Sequence, residues 1–138
     1  MIKRGRKIES YLEFEDAFQE RVLRRDKKAV LTLFAYNYDY LKDCSGLYER
    51  IVMDCKFTRE GTVLKWLDLV YNNQGPHCTV AFPYGHAARQ GWWKVFLWLV
   101  EHVPIHRADS EDPYFMYKFE AGVPFPEHVE LALRKLNR

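Results

Sequence analysis

Apolar side chains recur every three or four residues along most of the chain, the repeat of helices with one buried face. Phe14, Phe18 and Val22, with Ala17 beside them, make the first stripe. Ser10-Tyr11-Leu12-Glu13 precedes it as a capping-box pattern, in which the Ser hydroxyl takes a helical amide and Glu reaches back to the Ser amide. A helix is therefore expected from Ser10 to the charged run Arg24-Arg25-Asp26-Lys27-Lys28, where Asp26 can cap its successor. Val30, Phe34, Tyr38, Leu41, Ser45, Tyr48, Val52 and Cys55 continue the spacing over residues 27–56. They predict either one long helix or two broken near Ser45-Gly46, and the break is favoured because Gly costs a helix interior about 1 kcal/mol and Ser is a better cap than interior residue.

Thr58-Arg59-Glu60-Gly61-Thr62 reads as a linker with caps. Beyond it Val63, Leu64, Trp66, Leu67, Val70 and Tyr71 share one helical side, with Lys65, Asp68 and Asn72 on the other. Asn73-Gln74-Gly75-Pro76 ends that helix with turn chemistry. Cys78 to Phe82, bounded by Pro76 and Pro83, predicts a short strand, and Tyr114 to Glu120, closed by Ala121-Gly122, a second. Between them Ala87 to His102 predicts one helix, apolar nearly all round. Glu127 to Leu136 predicts the last helix, with Val129, Leu133 and Leu136 inward and Arg134 and Lys135 near its negative end. The expected fold class is mainly α (α+β), a compact domain of about five or six helices with a small two-stranded β element. Residues 1–9 form a basic N-terminal arm and 10–138 a single globular domain.

Composition adds one unusual feature to this picture. Of 138 residues, 48% are apolar and 29% charged, close to the globular average, but 16% are aromatic. Such a load implies a densely packed core or a face that meets a partner. The net charge of +2 excludes one strong uniform field, although residues 1–28 carry nine basic groups against six acidic. Three cysteines, Cys44, Cys55 and Cys78, do not make a disulfide framework, which fits a reducing compartment, cytoplasm or nucleus. The basic opening Met1 to Lys7 is followed by a polar, acidic run rather than an apolar leader core, and Trp92 to Val100 is too short to cross a bilayer.

Candidate chemistry is sparse. His77, Cys78, His86, His102 and His106 lie close in sequence and are zinc-ligand types. His102 and His106 have helical ligand spacing, but Pro104 between them ends the helix before the imidazoles align. No Cys-x-x-Cys or His-Glu-x-x-His accompanies them, so no metal or other cofactor is expected. Cys78 with His77 or His86, or Ser110 with His106, could pair as nucleophile and base only if the fold brought them together. Gly-x-Ser-x-Gly and Gly-rich phosphate loops are absent, so no catalytic residue is assigned. A Cys/His-dependent or metal-dependent enzyme stays as a minor alternative.

Binding is the better-supported class. Lys3, Arg4, Arg6 and Lys7, followed by Arg21, Arg24, Arg25, Lys27 and Lys28, could track the phosphates of RNA or DNA, with Arg21, Arg24, Arg25 and Lys28 near one helical face. Glu13, Glu15, Asp16 and Glu20 on the same segment oppose this. Tyr36, Tyr38 and Tyr40 scatter around a helix, and Trp92, Trp93 and Trp98 cannot share one direction. Tyr36, Tyr40 and the three Trp residues are therefore the expected surface for a protein partner or a homodimer. The leading expectation is a non-enzymatic regulatory or adaptor protein acting through that aromatic surface, with nucleic-acid binding by the basic segment as the alternative.

Overall fold

The computed structural model describes residues 8–75, 82–103, 117 and 120–136, and it is mainly helical. In chain order the helices are α1 (Tyr11–Leu23), α2 (Lys27–Tyr36), α3 (Tyr38–Leu41), α4 (Gly46–Glu49), α5 (Glu60–Gln74), α6 (Phe82–Arg89), α7 (Trp93–His102) and α8 (Glu127–Leu136). A π-helical turn, Arg50–Asp54, continues α4. α7 packs against α5, α6 and α8, while α1 packs against α2, α4 and the π turn. One apolar cluster joins them, running from Phe14 and Phe18 through Leu47, Ile51 and Leu67 to Phe96, Leu99 and Leu133.

The local signals act as the sequence implies. Ser10 Oγ accepts from Glu13 N at 3.1 Å, while Glu13 Oε1 takes the amide of Glu9 at 3.3 Å rather than that of Ser10. Asp26 caps α2 by accepting from Ala29 N at 3.0 Å. Gly46 opens α4, and it has a second reason to be glycine. A Cβ built there would lie 2.6 Å from Glu15 Cδ and still closer to Oε2. The Glu15 carboxylate is held in place, 3.2 Å from Arg50 Nε and 3.4 Å from Cys44 Sγ. Arg50 also reaches Asp16 at 2.9 Å and Gln19 at 2.6 Å, fastening the π turn to α1.

Three expectations are corrected. Residues 27–56, expected as one helix or two broken near Ser45-Gly46, also break at Asn37, between α2 and α3, where the Asn37 side chain donates back to Leu33 O at 3.0 Å. No strand occurs among the described residues: Phe82, expected to close the first strand, begins α6, and Tyr117 and Glu120 of the second are helical. The other positions of both expected strands lie outside the described residues. β-propensity describes a fit to a half-buried pleated surface, whereas Tyr117 is buried against Tyr84 and Phe96 of two helices. The single helix expected over 87–102 is two. Trp92 N bonds Ala87 O at 2.9 Å and Gly91 N bonds Ala88 O at 3.0 Å, with Gly91 at φ 76°. This is a Schellman termination, which needs a left-handed residue that Gly supplies without a Cβ penalty. α7 then starts afresh, its Val95 amide capped from α5 by Glu60 Oε2 at 2.9 Å.

Candidate anion-binding cleft

α1 ends in the same Schellman geometry as α6, but with a different residue at the critical position. Arg25 N bonds Val22 O at 2.9 Å and Asp26 N bonds Arg21 O at 3.1 Å. The left-handed residue between is Arg25, at φ 57°. Past the π turn the chain makes a second left-handed corner, again on a cation, with Lys56 at φ 54°. These are the described non-glycine residues with positive φ, and both line one cleft.

The cleft consists of two adjoining cavities of about 580 and 530 Å³. Arg25 and Thr62 line both, so the two form a continuous trough. The first also takes in Leu23, Cys55, Lys56, Phe57, Thr58 and Arg59. The second takes in Lys27, Lys65, Trp66, Asp68, Leu69 and Asn72. One wall is the α1–α2 corner and the other a single face of α5, on which Thr62, Lys65, Leu69 and Asn72 fall at three- and four-residue spacing. From Arg59 to Asn72 that face is about 20 Å long at 1.5 Å per residue.

Five exposed cations, Arg25, Lys27, Lys56, Arg59 and Lys65, therefore surround one trough. Among the described residues none of the five enters an ion pair or a side-chain hydrogen bond. The carboxylate lining it, Asp68, is committed elsewhere, accepting from Trp98 Nε1 at 2.7 Å. Glu60, next to Arg59, is likewise occupied with the Val95 amide. No side chain caps α5, so its positive end adds to the field at Thr58 and Arg59. The Thr58 and Thr62 hydroxyls complete a lining suited to a phosphate-bearing ligand.

Of the described basic residues singled out in the sequence, Arg25 and Lys27 line this trough. Arg21 Nη1 donates to Ala17 O at 3.0 Å, Arg24 pairs with Glu20 at 3.0 Å, and Lys28 is exposed on α2. The left-handed corner turns Arg25 off the helical face it was expected to share with them. Lys3, Arg4, Arg6 and Lys7 lie outside the described residues. Lys56, Arg59 and Lys65 were not anticipated as part of that basic set, although Lys65 was placed on the polar side of its helix.

The aromatic candidates divide. Trp98 is 9% exposed and its ring stacks on His102 at 4.3 Å, with Tyr71 edge-on to that imidazole at 4.9 Å. Trp93 is half-buried between Phe96 at 5.5 Å and Phe125 at 5.7 Å. Trp92 is half-buried too, its ring 6.3 Å from His86, and it precedes α7 instead of sharing its face. Tyr40 lies against Phe14 and Tyr11, at 6.1 and 5.1 Å. Tyr36 is 84% exposed.

Among the described residues no three His, Cys, Asp or Glu side chains gather as a metal site. His77, Cys78, His106 and Ser110 lie outside them. Burial, with Glu15 next, pushes the Cys44 thiol up to about 12, and burial, with Asp54 next, pushes Cys55 up to about 11. Both are protonated at neutral pH and neither offers a thiolate nucleophile there. Burial and then Arg89 lower the pKa of His86. Among the described residues no helix is long and apolar enough to cross a membrane. Compared with known proteins, the chain matches no family, no curated protein and no solved structure.

Proposed function

We propose that this protein acts by binding, without chemistry of its own, and that its ligand is a nucleic acid whose phosphates enter the cleft around Arg25 and Lys65. The observation that carries the reading is the set of five unpaired cations converging on one trough from separate parts of the chain. Two of them occupy left-handed positions that Gly would fill at lower conformational cost. Strain kept at a residue whose side chain lines a cavity is an argument for use of that side chain.

The test is a salt titration of binding by fluorescence anisotropy. With five phosphates neutralised, log K against log salt should fall with a slope of about −3.5 for single strands, or about −4.5 for duplex. No salt-sensitive binding to any RNA or DNA at about 50 mM salt would end the reading.

A protein partner or homodimer is the second reading, and the exposure of Tyr36 at 84%, with Tyr38 at 55%, favours it. Exposed Tyr is a common interface anchor. If the chain sediments as a monomer and Tyr36→Ser leaves its co-purifying proteins unchanged, that surface is not in use.

A further inference from the structure

We infer that the cleft is built for single-stranded nucleic acid in preference to duplex, an inference that rests on the nucleic-acid reading above. Its cations do not stand on a convex ridge or on a protruding helix. They surround a concavity that also takes in four apolar side chains, Leu23, Phe57, Trp66 and Leu69, beside the polar Thr58, Thr62, Asp68 and Asn72. Leu23 is 51% exposed, an open leucine beside Arg25, while Trp66, at 9%, and the half-buried Phe57 lie deeper.

Duplex presents phosphates outward and base edges only within its grooves, so it is read by an element that enters a groove. A duplex laid over this trough would satisfy the cations and leave the apolar side chains uncovered. An unpaired strand presents charge and base faces side by side, and this lining holds both cations and apolar side chains. Cationic grooves with an aromatic platform are the general solution for single strands, since every base has a face to stack. At the duplex rise of about 3.4 Å per nucleotide, the α5 face of about 20 Å corresponds to about six nucleotides, and fewer if the strand is stretched.

Charge alone predicts the opposite preference, because duplex has the higher charge density and the steeper counterion release. This makes a competition assay decisive. Oligonucleotides of about 12 nucleotides, as DNA and as RNA, are compared with the matching duplexes and with inorganic polyphosphate at one ionic strength. The inference expects at least one single strand to bind about tenfold or more tightly than its duplex, and polyphosphate of equal charge to compete poorly. Ultraviolet crosslinking should place an adduct on a peptide containing Phe57 or Trp66. Leu23→Ser, at a half-exposed position where folding is not at stake, should lower single-strand affinity several-fold.

Duplex binding as tight as single strand, polyphosphate competing equally, crosslinks confined to other peptides, or an unaffected Leu23→Ser protein would each overturn the inference while leaving the nucleic-acid reading in place. Absence of binding to every probe would instead remove that reading itself.

Discussion

Replacing Arg25 by Gly should make the protein more stable and its binding weaker, and the structure allows both changes to be sized. Arg25 holds φ 57° within a hydrogen-bonded Schellman turn that does not involve its side chain. Relieving a left-handed Cβ conflict gains about 1–2 kcal/mol. The freer unfolded chain of a Gly variant takes back about 0.5–1 kcal/mol. A net gain of about 0.5–1 kcal/mol remains, and a chain of this size should show it as a melting temperature higher by about 1–4 °C. One cation among five is lost from the cleft, so the single-strand salt slope should become shallower by about 0.7. Lys56→Gly should behave in the same way, since Lys56 holds φ 54° on the same cleft. Arg25→Ala is the control, keeping the backbone conflict while removing the charge. Calorimetry and anisotropy on the three variants give both quantities. If Arg25→Gly unfolds more easily than the parent, the account of the corner is wrong. A more stable variant with an unchanged salt slope would mean that Arg25 does not touch the ligand.

Gly46→Ala should destabilise the fold by about 1–2 kcal/mol, because the new Cβ displaces Glu15 from Arg50 and charge-assisted bonds are worth about 1.5–3 kcal/mol, against a helix-propensity gain below about 1. In a Glu15→Ala background the same substitution should be neutral or stabilising by urea unfolding, and an equal cost in both backgrounds would exclude the clash as the cause. Trp98→Phe keeps most of the ring burial but leaves the Asp68 carboxylate without its indole donor, facing the cations. It should weaken polyanion binding, whereas Asp68→Asn should strengthen it, and a binding isotherm that moves the other way would show Asp68 to be outside the field of the site. Alkali should destabilise through Cys44, whose folded pKa of about 12 exceeds the ordinary value of 9.0. A raised acid pKa contributes stability below the unfolded value that is lost as pH climbs through the folded one, so the loss falls between about 9 and 12. Cys44→Ser, compared with the parent across that window, should flatten the decline, and identical pH profiles would contradict it.

Features set by near neighbours were legible in the sequence. Ser10 and Asp26 act within a few residues of themselves, and the stripes of α1, α5 and α8 needed only their own periodicity, whereas Gly46 answers to distant Glu15 and the break at Asn37 was not foreseen. Gly91 was also local, but the apolar run on either side of it masked a turn that only its positive φ reveals. The cleft was not legible because it is assembled from corners. Arg25 lies about thirty residues before the Lys56 to Lys65 segment, and each cation alone is a routine surface residue. The left-handed turn at Arg25 also undoes the periodic argument that grouped it with Arg21 and Arg24. Trp98 is taken into the core because its indole finds a polar partner in Asp68, whereas Trp92 and Trp93 stay half-buried.

The π turn at Arg50–Asp54 gives the chain a unit of slack. Removing one residue from an ordinary helix rotates everything beyond it by about 100°, which would carry a buried stripe out to water. Cys55 N bonds Arg50 O, five residues back, so one residue here is surplus to the usual i−4 ladder. Deleting half-buried Met53 would close the ladder and leave Cys55 and Lys56 near their present places. Length variation between Gly46 and the Lys56 corner is thus tolerable at this turn, whereas the same loss inside α5 would turn Lys65 and Trp66 out of register together.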